Sequence, residues 1–315
     1  IMAKCILISI CLLTCFIKRI NASGMFHPER KYNVIISYSG YCFLWYILLT
    51  GIGQEIKNSS SYISNSNTLY EYAIVITLMV WYYGNSKIFD NLIKIYGVCF
   101  ILQSFRFGDR SAGALMLLLI CILYFKVKIN FPKMIIGAII GIIVLNFFIV
   151  YRVDRNQGFK EIAEKTIDRG IYLDTVSYCY YAGMTVCALH DYEENKLHMI
   201  GEFIKATIEG SSRNEYAEIS DYVTKHYPFI RNKGGGMYSS LFYCWGGYMG
   251  VILGNLVVGI IILFLFNAKN SMAQMQGILF IVYTFRWYIY NVFNIFRTIL
   301  VVFSALYVLC RVFDM

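Results

Sequence analysis

Arginine is the residue type in this chain whose placement most demands a chemical account. Arg106 and Arg110 flank Asp109 in SFRFGDRSAGALMLLLICIL, Arg152 and Arg155 stand in YRVDRNQG, Arg231 and Lys233 in FIRNKGGGMYSS, and Arg286 and Arg297 in TFRWYIYNVFNIFRT. Each stretch abuts an apolar run or lies inside one. A charge in a membrane segment is costly unless it is paired or wet, and so marks a functional position by default. Guanidinium forks match phosphate oxygens with paired hydrogen bonds, so arginines delivered to one depth by separate segments predict an anion site. The competing account of any one of them is snorkelling, in which a long basic side chain at a helix end reaches headgroup phosphates and does nothing more. Arg286 does not stand at the end of its run, which favours the anion site.

The elements that must position these side chains are membrane helices. The chain is 58% hydrophobic and 15% charged, with three prolines in 315 residues, and its mean hydropathy is +0.56; no water-soluble core of this length needs so much apolar surface. Apolar runs near the roughly 17 to 25 residues that cross hydrocarbon cover Ile1 to Ile17, Tyr32 to Gly53, Leu69 to Tyr83, Leu92 to Phe105, Ser111 to Phe125, Met134 to Tyr151, Tyr238 to Phe266, Met275 to Tyr290 and Thr298 to Cys310. They predict an all-α polytopic protein of about nine transmembrane helices. The first run follows Lys4, as a secretory signal would, but Lys18 and Arg19 directly after it favour a retained helix. Its incomplete start predicts residues upstream of Ile1. Most of the ten cysteines lie inside apolar runs and read as small buried hydrophobes. Cys179 and Cys187 lie in the polar loop, where eight residues of helix would hold them about 12 Å apart, too far for a disulfide.

Basic residues mark the cytoplasmic loops. Lys18, Arg19, Arg30 and Lys31 lie in the first connection, Lys87 and Lys94 at the third, Lys126, Lys128 and Lys133 at the fifth, Lys269 in the seventh, and Arg311 after the last run. The odd connections are therefore expected inside, and the arginine stretches outside. Three regions follow: an N-terminal transmembrane bundle over 1–151, a large outer loop over 152–237, and C-terminal transmembrane helices over 238–315.

The outer loop has its own texture. GFKEIAEKTIDRGI, with Phe159, Ile162, Ala163, Thr166 and Ile167 at helical spacing, and KLHMIGEFIKATIEG, with Ile200, Phe203, Ile204 and Ile208, predict amphipathic helices across the outer mouth. LDTVSYCYYAGMTVCALH reads as a docked or re-entrant helix; a full span would invert everything after it. Tyr227 and Pro228 should stop a helix. The glycines 234–236 either form a flexible turn or leave amides open to an oxygen ligand at the next helix start. The loop also carries His190, His198 and His226.

No clear DxD-type carboxylate pair, no GxxxxGK[ST] loop, and no CxxC or HExxH is present. An outward-facing enzyme away from nucleotides must take an activated donor, and a lipid-linked pyrophosphate sugar is one whose anionic leaving group arginines stabilise without metal.

The chain resembles the bacterial Wzy-type repeat-unit polymerases of O-antigen and capsular polysaccharide. The likeness rests on FRFGDRSAGALMLLL opening a helix, YRVDR closing the helix before a large outer loop, and EYAEISDYVTKHYPFIRNKGGGMYSSLFYCWGGYMGVI ending that loop, and it covers roughly Phe105 to Gly254. The resemblance implies a GT-C-like architecture in the bacterial inner membrane, a site facing the periplasm, and inverting transfer of a growing glycan from undecaprenyl pyrophosphate to a new lipid-linked repeat unit. It implies no cofactor and no nucleic acid. Its implied partners are undecaprenyl-pyrophosphate-linked oligosaccharides, membrane lipid, and a chain-length regulator and flippase of the same pathway. By position, Arg106, Arg110, Arg152, Arg155 and Arg231 match places where such enzymes present basic groups; Arg286 and Arg297 join them from the membrane pattern. Many relatives carry a glutamate shortly before the tyrosine that is Tyr243 here, where this chain has Leu241 and Phe242. The resemblance also implies a longer N-terminus than the one that starts at Ile1. Candidate bases for the acceptor hydroxyl are Asp154, Glu215 and His226, the last for its resting pKa. An O-antigen ligase shares the architecture with a different acceptor. A lipid-oligosaccharide flippase would commonly show internal repeats, which the sequence lacks.

Overall fold

A computed structural model describes residues 1–20, 28–51, 68–107, 110–125, five isolated positions between 141 and 150, 158–170, 174–190, 195–210, 219–227 and 235–314. The regular elements among them are helices, and one isolated bridge pairs Tyr32 with Gly84. In chain order they are α1 (Met2–Ile17), α2 (Val34–Thr50), α3 (Thr68–Tyr83), α4 (Lys87–Phe107), α5 (Arg110–Phe125), α6 (Phe159–Arg169), α7 (Asp174–Leu189), α8 (Lys196–Glu209), α9 (Ile219–His226), α10 (Tyr238–Asn267) and α11 (Ser271–Val282). Two π-helical turns follow, Arg286–Tyr290 and Ile295–Val302, and then α12 (Phe303–Val312). Lys87–Phe107, Tyr238–Asn267 and Ile295–Val312 are long and apolar enough to cross a membrane, which makes this a multi-pass membrane protein. Five shorter apolar helices, among them α1 and α2, coincide with further predicted runs. The predicted run Met134 to Tyr151 lies largely outside the described residues.

The chain forms two compact units, residues 30–174 and residues 1–29 with 175–315. In the first, α2 to α5 run up and down. At one end the chain before α2 pairs with the α3–α4 turn: Lys31 N donates to Tyr82 O at 2.9 Å, Asn33 N to Tyr83 O at 2.9 Å, and Asn85 N to Lys31 O at 3.1 Å. Arg30 locks this end. It donates to Asp90 at 2.8 Å and to the carbonyls of Trp81 and Gly84 at 2.9 Å each, with its guanidinium 4.7 Å from the Trp81 ring centre. Tyr124, near the end of α5, donates to the same Asp90. At the other end Gln103 donates to Leu48 O at 2.7 Å and the Tyr70 hydroxyl lies 2.7 Å from Ser104. The first and third connections thus share an end, and Arg106 stands about 28 Å along α4 from Lys87.

In the second unit α1 packs along α10, with Ser9 beside Asn255 and Phe16 against Gly259. Here the structure corrects the reading of Tyr238 to Phe266 as one span. Gly246 (φ −155, ψ 25) and Gly247 (φ 60, ψ −146) are non-helical, and beyond them the chain doubles back. The Phe242 carbonyl meets Gly250, and the Phe242 ring covers Gly254. Tyr238 donates to Asn255 at 3.1 Å, although a straight helix would set these residues about 25 Å apart. α10 is therefore a helical hairpin. Its long half, residues 248–267, is about 30 Å long and by itself matches the hydrocarbon thickness; its short half, 238–245, returns along it. Gly247 makes this possible, because a side chain is strained at its left-handed φ.

Candidate functional site

The short half of α10 brings the segment that precedes it, residues 235–237, back along the long half. Asn255 lies seven residues into that half, about 10 Å from its start, and is fully buried. Its amide donates to Ser9 Oγ at 2.9 Å and to Val251 O at 2.7 Å, and its carbonyl oxygen accepts from Tyr238. These bonds fix the start of the short half at that level. Immediately before it, Gly236 N donates to Tyr290 O at 2.8 Å. Gly235 has φ +90, and a Cβ there would stand 2.7 Å from Cys179 Sγ and 2.9 Å from the Tyr290 ring, so only glycine fits. The glycine run is thus a docking segment, and the Gly236 amide is held by Tyr290. Gly234 lies outside the described residues. Burial pushes the Cys179 thiol up to about 12, which keeps it protonated and inert at neutral pH.

Tyr290 ends the π-helical turn that Arg286 begins. Asn291 N closes it onto Arg286 O at 2.9 Å, Asn291 itself is extended (φ −159, ψ 119), and its side-chain oxygen accepts from Phe293 N at 3.0 Å. The Arg286 guanidinium carbon lies 5.2 Å from the Tyr290 ring centre. Trp287 and Tyr288 pack on Tyr238 at 5.5 and 5.7 Å between ring centres, so Arg286 is carried on a turn stacked against the short half of α10. Non-helical backbone inside a membrane domain is tolerated where it is buried in protein or lines a wet cavity, and π turns concentrate at functional positions. The second π turn is stitched to α11 by Gln276, which donates to Ile299 O at 3.1 Å and to Ser304 at 2.9 Å.

Arg297, on that second turn, reaches the end of α8. Its Nη1 donates to the carbonyls of Ile208 at 2.9 Å and Thr207 at 3.0 Å, with Ala206 at 3.4 Å. Ala206 O also accepts from Gly210 N at 2.8 Å; the carbonyls of Thr207 and Ile208 belong to the last turn of α8, which an α-helix leaves without intrahelical partners, and a cation there also suits the helix dipole. Phe203 completes the attachment, with ring contacts to Trp245 at 5.0 Å, Phe293 at 5.7 Å and Phe296 at 5.8 Å. α8 is thereby held beside the Gly246–Gly247 turn.

His190 is a contact that the sequence did not single out. Its Nδ1 lies 2.9 Å from Cys244 O; a carbonyl only accepts, so Nδ1 carries the proton and Nε2 faces Lys196 Nζ at 3.4 Å. The ring also lies over Gly247 and against Tyr243. Nothing in chain order signals this, because His190 and Cys244 stand 54 residues apart.

Of the sequence-predicted site residues, Arg286 and Arg297 fall in one unit. Arg106 is exposed at the end of α4 in the other, its guanidinium 5.8 Å from the Phe107 ring centre. Arg110 opens α5 and His226 closes α9, with both side chains outside the described residues. Arg152, Asp154, Arg155, Glu215 and Arg231 lie outside them entirely. α9 does end ahead of Pro228, as expected. Comparison with family models, with curated proteins and with solved structures finds no match.

Proposed function

We propose that this protein is an inverting membrane glycosyltransferase that joins undecaprenyl-pyrophosphate-linked oligosaccharide repeat units into O-antigen or capsular polysaccharide, at the outer face of a bacterial inner membrane. The reading is carried by one contact: Gly236 donates to Tyr290 O, which seats the segment following Arg231 and Lys233 on the turn that Arg286 begins. Two of the arginine-bearing stretches are thereby joined through their backbones. The charge pattern supports the orientation: the basic end of the first unit, with Arg30 and Lys31, is opposite the end that carries Arg106.

In this mechanism the acceptor hydroxyl attacks the anomeric carbon as the bond to the pyrophosphate oxygen breaks. The electron pair leaves with the lipid pyrophosphate, whose charge Arg286 and Arg231 stabilise. Asp154, Glu215 or His226 takes the hydroxyl proton. Arg297 acts at one remove by holding α8.

The test is chain lengthening by purified protein, in detergent and without a membrane gradient, from lipid-linked repeat units. Longer lipid-linked glycans are expected. Transfer only to lipid A core would make the protein a ligase, and no transfer in detergent combined with translocation in sealed vesicles would make it a flippase.

A further inference from the structure

α8 is apolar on two opposite faces. Met199, Phe203 and Ala206 are buried, Phe203 against the aromatic rings of the C-terminal helices. At about 100° per residue, the face half a turn away carries Leu197, Ile204 and Ile208, which are 82%, 57% and 70% exposed. Single exposed apolar residues are ordinary, but three on one stripe of one helix form a patch that expects a cover.

Two anchors fix the level of this helix. Phe203 packs on Trp245, the residue directly before the Gly246–Gly247 turn, and Arg297 grips the last carbonyls of α8. The long half of α10 begins at that turn and is about 30 Å long, the thickness of the hydrocarbon layer. Its start therefore lies where acyl chains give way to headgroups. Lys205 is exposed beside the stripe, and its stem lets an ammonium reach phosphate from an apolar surface. Apolar residues on one side and a cation at the flank, at that level, form the pattern of a helix lying in the interface plane.

We propose that α8 is an interfacial helix whose partner is the bilayer itself, with Leu197, Ile204 and Ile208 among the acyl chains and Lys205 directed to headgroup phosphates. The membrane and the protein then grip the helix from opposite sides, and the Gly246–Gly247 turn is held at the surface by both.

The test places a benzoylphenylalanine photo-crosslinker singly at Leu197, Ile204, Ile208 and, as an off-stripe comparison, Glu209. Each full-length variant is reconstituted in vesicles of phosphatidylethanolamine and phosphatidylglycerol, irradiated and weighed by mass spectrometry. All four positions are exposed, and an unchanged melting temperature identifies the variants to compare. Phospholipid adducts at the three stripe positions, about five-fold or more above Glu209, are expected of an inserted face. Adducts of twice the protein mass would assign the stripe to a second copy of the chain and overturn the proposal. So would equal labelling at all four positions, or no lipid adduct at the stripe.

Discussion

Tyr238 donates a hydrogen bond to Asn255 at 3.1 Å across seventeen residues of sequence, and this bond turns one apolar run into two elements. It holds the short half of α10 against the long half and sets the level at which Gly235 and Gly236 meet the Arg286 turn. Asn255 is the hub, since the same amide side chain also binds Ser9 on α1.

Replacing Asn255 with Leu leaves the Tyr238 and Ser9 hydroxyls without that partner in a buried place, at about 1–3 kcal/mol. The expected result is a lower melting temperature in detergent. Tyr238→Phe removes one hydroxyl and costs less, and the double variant should fall short of the sum of the two, because both break the same bond.

The two glycines of the turn should respond differently. Gly247→Ala forces a side chain onto a φ of +60 beside His190, and about 1–3 kcal/mol of strain is expected. Gly246→Ala meets nothing within 4 Å at a negative φ and should leave the melting temperature nearly unchanged.

Arg297→Ala removes the group that binds the carbonyls of Thr207 and Ile208. Deuterium exchange in the last turn of α8 should rise about ten-fold. Arg297→Lys keeps the charge without the planar fork and should fall between the two. Polymer yield should drop in step with the loosening of α8, as suits a positioning residue.

Most helices were legible because a membrane-crossing run announces itself by composition: Leu69 to Tyr83 became Thr68–Tyr83, and Ser111 to Phe125 became Arg110–Phe125. The hairpin in α10 was not, since 29 apolar residues have the same composition whether straight or folded. Its one local sign is the Gly246–Gly247 pair in CWGGYMG, where paired glycines punctuate a helix. The surface helices were placed correctly along the chain, but their faces were not. In α8 Phe203 is buried while Ile204 and Ile208 are exposed, and in α6 Ile162 is buried while Phe159 and Ile167 are exposed; periodicity marks an apolar face without saying what it meets. The site was legible only as a set of arginines. That Arg286 sits on a π turn, that Arg297 caps a distant helix and that the glycine run docks on Tyr290 are long-range facts with no pattern in the local sequence.

In the proposed function Arg286 acts on the pyrophosphate of a lipid-linked glycan. Polymer made in a strain carrying only the Arg286→Ala form, at normal membrane level and melting temperature, measures it most directly. At least about a hundred-fold loss of polymer is expected, as for removal of one charge-stabilising donor, with partial recovery in Arg286→Lys. Full-length polymer from Arg286→Ala would contradict it.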